Sequence, residues 1–144
     1  MTDADSLKQI LAGDQATVGV IGLGYVGLPL ALTMADAGKR VVGLDVDEKK
    51  VESLRRGESY IRHIAPEWVK ERLGRPADAS DLPSRAAGKI YPTADFSALS
   101  HCDAILICVP TPLTEGRDPD IELEPPEITT ERATGQRLVR YKNI

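Results

Sequence analysis

Three glycines and one acid pose the chemical question. Gly22, Gly24 and Gly27 form the pattern G-x-G-x-x-G, directly after the β-branched run Thr17–Ile21 and directly before a helix-forming stretch. Asp45 ends the next apolar run, roughly twenty residues further on, the interval of a dinucleotide fingerprint. Each glycine has a mechanical part: Gly22 permits a tight turn, Gly24 lets the backbone approach a pyrophosphate, and Gly27 lets a helix lie close to a strand. The N–H groups of Tyr25 and Val26, at the positive end of that helix, would face phosphate oxygens. With 12 glycines in 144 residues the pattern alone is weak, so the frame around it decides.

That frame reads as strand, helix, strand, helix. Thr17–Ile21 is a buried strand, and Leu28–Ala37 a helix with Pro29 in its first turn and Gly38 at its end. Arg40–Asp45 is the second strand, and Asp47 caps a helix closed by Gly57. Pro66 opens a further helix through Trp68, Val69 and Leu73; residues 75–88 read as a surface loop; Lys89–Thr93 is a short strand; a helical turn covers Phe96–Leu99. Ala104–Val109 is a continuous apolar run, as expected of a strand covered on both faces. Ahead of all this, residues 1–15 form a helical appendage with Asp5 and Ser6 as its caps. The order implies an α/β fold: a Rossmann-like, doubly wound parallel sheet, truncated to strand order 3-2-1-4. The domain reading is 1–15 appendage, 16–120 NAD-binding domain, and 121–144 an irregular, disordered or poorly packed tail.

Asp45 selects the cofactor. Its carboxylate can accept hydrogen bonds from the adenosine ribose hydroxyls, whereas a 2′-phosphate would bring like charges to within ~4 Å at a cost of about 4 kcal/mol for an effective dielectric near 20. No Arg follows to offset that, so NAD is expected over NADP; a flavin nucleotide fits the same glycines and stays open. Lys49 and Lys50 are the nearest cations, Lys49 reading as a solvated helix face. Thr111 follows the carboxyl end of a strand, where ligands bind in such sheets; the lesser alternative is a turn hydroxyl between Pro110 and Pro112. A Tyr-x-x-x-Lys pair of the short-chain dehydrogenases and the Lys-Ser/Thr of a P-loop are missing.

Composition excludes other classes. A net charge of -4 argues against a phosphate-backbone binder. No apolar run reaches the ~18 residues of a membrane span, and the start lacks a signal-peptide pattern, so a cytoplasmic protein is expected. Cys102 and Cys108 have neither metal-ligand nor disulfide logic, and no metal site is expected; Cys108 reads as a buried structural thiol.

The run IGLGYVGLPLA (Ile21–Ala31) closely resembles the start of the UDP-glucose/GDP-mannose dehydrogenase family. GLDVDEKKVESLRRGESYI (43–61), TADFSALSHCDAILICVPTP (93–112) and LTEGRDPD (113–120) follow in family order. The stretch Ser59–Ile64 is more like the branch acting on UDP-N-acetylhexosamines than like the UDP-glucose branch. The resemblance implies an NAD-dependent four-electron oxidation of a sugar C6 alcohol to a carboxylate through an enzyme-bound thioester, with Val26, Asp45, Lys50 and Thr111 as cofactor contacts. It places the catalytic cysteine beyond residue 144, so Cys102 and Cys108 match non-catalytic positions and this chain holds no catalytic residue. The change of composition near residue 121 fits a truncation or a frame shift. Three functions follow: the cofactor half of an enzyme acting in polysaccharide biosynthesis, a non-catalytic NAD-binding module, or an inactive fragment. Strand 104–109 would stand at an exposed edge, so a marginally stable chain, a homo-oligomer or a partner chain covering that edge is expected.

Overall fold

A computed structural model describes residues 2–75, 79–109, 127–131 and 137–140. The chain divides into two compact units, 1–109 and 110–144. The first is built on strands β1 (Thr17–Ile21), β2 (Arg40–Leu44), β3 (Ile90–Thr93) and β4 (Ala104–Ile107), parallel and in the order β3-β2-β1-β4. This is the expected Rossmann-like α/β arrangement. Every residue of β1 and β2 is buried, which is why these strands are β-branched runs without polar alternation. Among the described residues β4 pairs only with β1 and stands at the edge of the sheet, with Ile107 exposed.

Helix α2 (Gly27–Asp36) buries Gly27, Leu28, Ala31, Leu32 and Ala35, a stripe at helical spacing. Together with Val20, Leu23, Val41, Leu54 of α3 (Glu48–Arg55), Val69 of α4 (Pro66–Arg72) and Ile90, that stripe forms one core. The Trp68 ring N–H and the Arg72 guanidinium both donate to the Asp36 carboxylate, fastening α4 to the end of α2.

Three local expectations are corrected. Helix α1 (Asp3–Ala12) is capped by Thr2, not by Asp5 or Ser6: Thr2 Oγ1 accepts the Asp5 N–H at 3.2 Å and the Asp5 carboxylate accepts the Thr2 N–H at 3.3 Å. Asp5 is therefore the returning member of a capping box. No residue of α1 is buried, and Lys39 Nζ holds its end by donating to the carbonyls of Leu11 and Gly13. The 75–88 segment contains a 3₁₀ turn, Ala79–Ser84, in which Leu82 is buried, and the carbonyl of Arg85 accepts from the Arg40 guanidinium. In the second unit, β5 (Glu127–Glu131) and β6 (Arg137–Arg140) pair antiparallel, with Glu127 opposite Arg140 and Glu131 opposite Arg137. The tail expected to be irregular therefore contains a strand pair, in keeping with the β-branched Ile128, Thr129, Thr130 and Val139.

Candidate dinucleotide-binding site

The site starts where β1 stops. Gly22 has φ 93°, and a Cβ there would lie 2.6 Å from the Cys108 carbonyl oxygen, at the end of β4. A Cβ on Gly27 would lie 1.6 Å from the Gly22 carbonyl oxygen, so the first turn of α2 can sit this close to the loop only as glycine. Gly24 differs: a Cβ there meets nothing within 4 Å among the described residues. Tyr25 and Val26 follow with 76% and 68% of their surface exposed. Val26 precedes α2 without a capping side chain, and the N–H groups of Gly24, Tyr25 and Val26 have no acceptor among the described residues. Open space beside a bare helix N-terminus is what an anion requires.

Asp45 follows β2 and is 8% exposed. Its Oδ2 accepts the Leu23 N–H at 2.9 Å and its Oδ1 accepts the Asp47 N–H at 2.8 Å. A carboxylate offers about four acceptor positions, so roughly two remain for hydroxyls. Asp47 caps α3, accepting the Lys49 N–H at 3.0 Å. Lys50 Nζ lies 5.9 Å from the centroid of the Tyr60 ring, and the Tyr60 hydroxyl donates to the Leu23 carbonyl. Burial, helped by the negative charges of Asp45 and Asp47, pushes the Tyr60 hydroxyl well above the usual tyrosine range, so it stays a donor at neutral pH. A cleft of about 370 Å³ is lined by Gly24, Tyr25, Lys49, Lys50, Ser53, Tyr60 and Ile61. The Tyr25 ring stacks on His63 at 6.3 Å between centroids.

The structure thus brings Gly22, Gly24, Tyr25, Val26, Gly27, Asp45 and Lys50 to one end of the sheet. Thr111 lies outside the described residues. Ser53, Tyr60 and Ile61 are cleft residues that sequence reasoning missed, and Lys49, solvent-exposed as expected, also borders the cleft. One faint signal was available, an aromatic residue in a polar connecting segment of a chain with four tyrosines and a single phenylalanine. Cys102 is buried, and Cys108, expected to be a buried thiol, is half-buried at the end of the edge strand. Among the described residues there is no cluster able to hold a metal ion, and no helix long and apolar enough to cross a membrane.

These residues fit a dinucleotide on the molecule's own terms. The gap at Gly24 admits a ligand against the backbone, the free N–H groups suit a pyrophosphate, and Asp45 keeps acceptor capacity for a diol.

Comparison with known proteins agrees. Residues 16–128 match the model of the NAD binding domain of the UDP-glucose/GDP-mannose dehydrogenase family. UDP-N-acetyl-D-mannosamine dehydrogenase of Salmonella typhi is 34% identical over 105 residues, covering 73% of this chain and 22% of that protein. UDP-N-acetyl-D-glucosamine 6-dehydrogenase of the same organism is 32% identical over 108 residues, with 75% and 22% covered. Among solved structures, a UDP-glucose dehydrogenase from Pyrobaculum islandicum superposes with a TM-score of 0.59 at 32% identity, over 75% of this chain and 23% of that one. The chain therefore spans about a fifth of the length of these relatives.

Proposed function

The chain belongs to the UDP-glucose/GDP-mannose dehydrogenase family, as its NAD-binding domain, and we propose that its cleft takes the adenosine half of NAD on behalf of an enzyme oxidising the C6 alcohol of a UDP-sugar. The observation that carries this reading is the pairing of an open, uncapped α2 N-terminus with a carboxylate at the end of the neighbouring strand. Bound NAD would supply a hydride acceptor. This chain's residues do the holding. The N–H groups of Gly24, Tyr25 and Val26 take the pyrophosphate, Asp45 accepts from the ribose hydroxyls, and Lys50 stands at the adenosine end beside Tyr60. Residues 16–120 form the cofactor domain in this reading, with 1–15 as an appendage, and Thr111 completes the cofactor contacts.

A UDP-N-acetylhexosamine is the sugar nucleotide we favour, because relatives named for UDP-N-acetyl-D-mannosamine and UDP-N-acetyl-D-glucosamine match the chain at 34% and 32% identity. Sugar binding and the covalent steps belong to other parts of such an enzyme, and the cytoplasm is its expected place. Calorimetric titration of the chain with NAD, NADP and FAD tests the cofactor half. Saturable binding of NAD, with NADP weaker by about tenfold or more, is expected from the like charges at Asp45. A folded chain that binds FAD in preference, or none of the three, would overturn it.

A further inference from the structure

Leu23 sits between two of the fingerprint glycines and is held at three points. Its side chain is fully buried, its N–H donates to Asp45 Oδ2 at 2.9 Å, and its carbonyl accepts the Tyr60 hydroxyl. The first two bind the loop to the core and to the end of the neighbouring strand. The third comes from a residue 37 positions away, on the segment between α3 and α4.

The carbonyl of Leu23 and the N–H of Gly24 belong to the same peptide group. In a trans peptide they point in opposite directions, so holding the oxygen fixes the direction of the hydrogen. The Gly24 N–H has no acceptor among the described residues, and Gly24 lines the cleft. Without a Cβ on Gly24, rotation of this peptide meets little steric resistance. A tether on its oxygen is therefore what keeps the N–H available to an incoming anion. The same tyrosine also forms part of the cleft wall and lies beneath Lys50 Nζ. It stands where the phosphate loop and the adenosine end meet.

We propose that Tyr60 is a positioning residue of the dinucleotide site: its hydroxyl orients the Leu23–Gly24 peptide so that the Gly24 N–H is preset for the pyrophosphate. This rests on the NAD reading above. Burial keeps the hydroxyl protonated, so the tether holds throughout the neutral range.

Tyr60→Phe retains the ring, the cleft wall and the Lys50 contact while removing only the donor. The chain and this variant are titrated by calorimetry with NAD and, separately, with adenosine, which has no phosphates. NAD should weaken by about tenfold, the scale of one neutral hydrogen bond, and adenosine by less than about twofold. A general loosening of the fold would weaken both ligands by the same factor. That result, or unchanged NAD affinity, overturns the proposal. A wild-type chain that is folded and binds adenosine but not NAD overturns the NAD reading and this inference with it. A measurement without any variant guards against a phenylalanine chain that folds poorly. The Tyr60 hydroxyl proton of the wild-type chain should exchange slowly with water at neutral pH and couple to the Leu23 carbonyl carbon, and a hydroxyl proton that exchanges as freely as an exposed phenol removes the tether.

Discussion

The two ends of β2 each bury a charged side chain, and they use it in opposite ways. At the amino end Arg40, 4% exposed, donates to the carbonyls of Arg85 and Gln15, to Thr17 Oγ1 and to Gln15 Oε1. Those partners are all neutral oxygens of the chain itself, and they use up nearly all of the guanidinium's five donors. At the carboxyl end Asp45, 8% exposed, accepts two backbone N–H groups and has acceptor capacity to spare. Near it the N–H groups of Gly24, Tyr25 and Val26 have no acceptor among the described residues. A buried charge saturated from within is a structural tie. A buried charge left half-satisfied, beside open space and free donors, is where a ligand fits.

Breaking the carboxyl end outright should have the largest effect. Gly27→Ala places a Cβ against backbone that has nowhere to go, and a loss of about 3 kcal/mol in chemical denaturation is expected, at the upper end of overpacking costs. A variant as stable as the parent would mean that α2 does not sit against Gly22 in solution.

The comparison sharpens with a pair of substitutions of similar cost. Arg40→Met leaves buried carbonyls without donors, and Asp45→Asn turns an amide donor toward a backbone N–H; each should lose about 2 kcal/mol. Their NAD affinities should separate: unchanged for Arg40→Met in the folded chain, weaker by about tenfold for Asp45→Asn. Equal affinities would erase the distinction between the two ends.

Gly24→Ala is the gentlest probe of the site. Its Cβ meets no atom of the described residues within 4 Å, so stability should stay within about 0.5 kcal/mol. NAD binding should still weaken by about tenfold, because the methyl group fills the ligand's space. The smallest effect is on pH dependence. Tyr60 has a raised pKa in the fold, so the folded state keeps a proton that the unfolded state loses above about pH 10. Stability should therefore fall as pH rises beyond that point, and fall less steeply in Tyr60→Phe. Parallel slopes would put the phenol in a solvent-like setting.

Much of this could be read along the chain. The glycine spacing, the strand–helix alternation and the acid at the end of β2 follow from patterns among near neighbours; the strand order came from the usual order of such folds, and Lys50 from the family resemblance. The misreadings were local rules applied one step short. Thr2 took the cap because its hydroxyl stands three residues before Asp5, which Asp5 cannot do for itself. Leu82 was submerged in a polar stretch, and the β5–β6 pair in a charged one. Thr111 lies outside the described residues and stays with the proposal.

By itself the sequence determined which residues could meet a dinucleotide, because residue type and periodicity are local properties. Only the tertiary structure decided how they are held. That Asp45 ties the glycine loop while keeping acceptor capacity on the cleft side depends on β1 and β2 lying side by side. That Tyr60 reaches the Leu23 carbonyl depends on the path of the chain between α3 and α4, a contact across 37 residues that no periodicity encodes. Hydrogen bonds between distant segments are settled by packing, and packing is a property of the whole core rather than of any one stretch of chain.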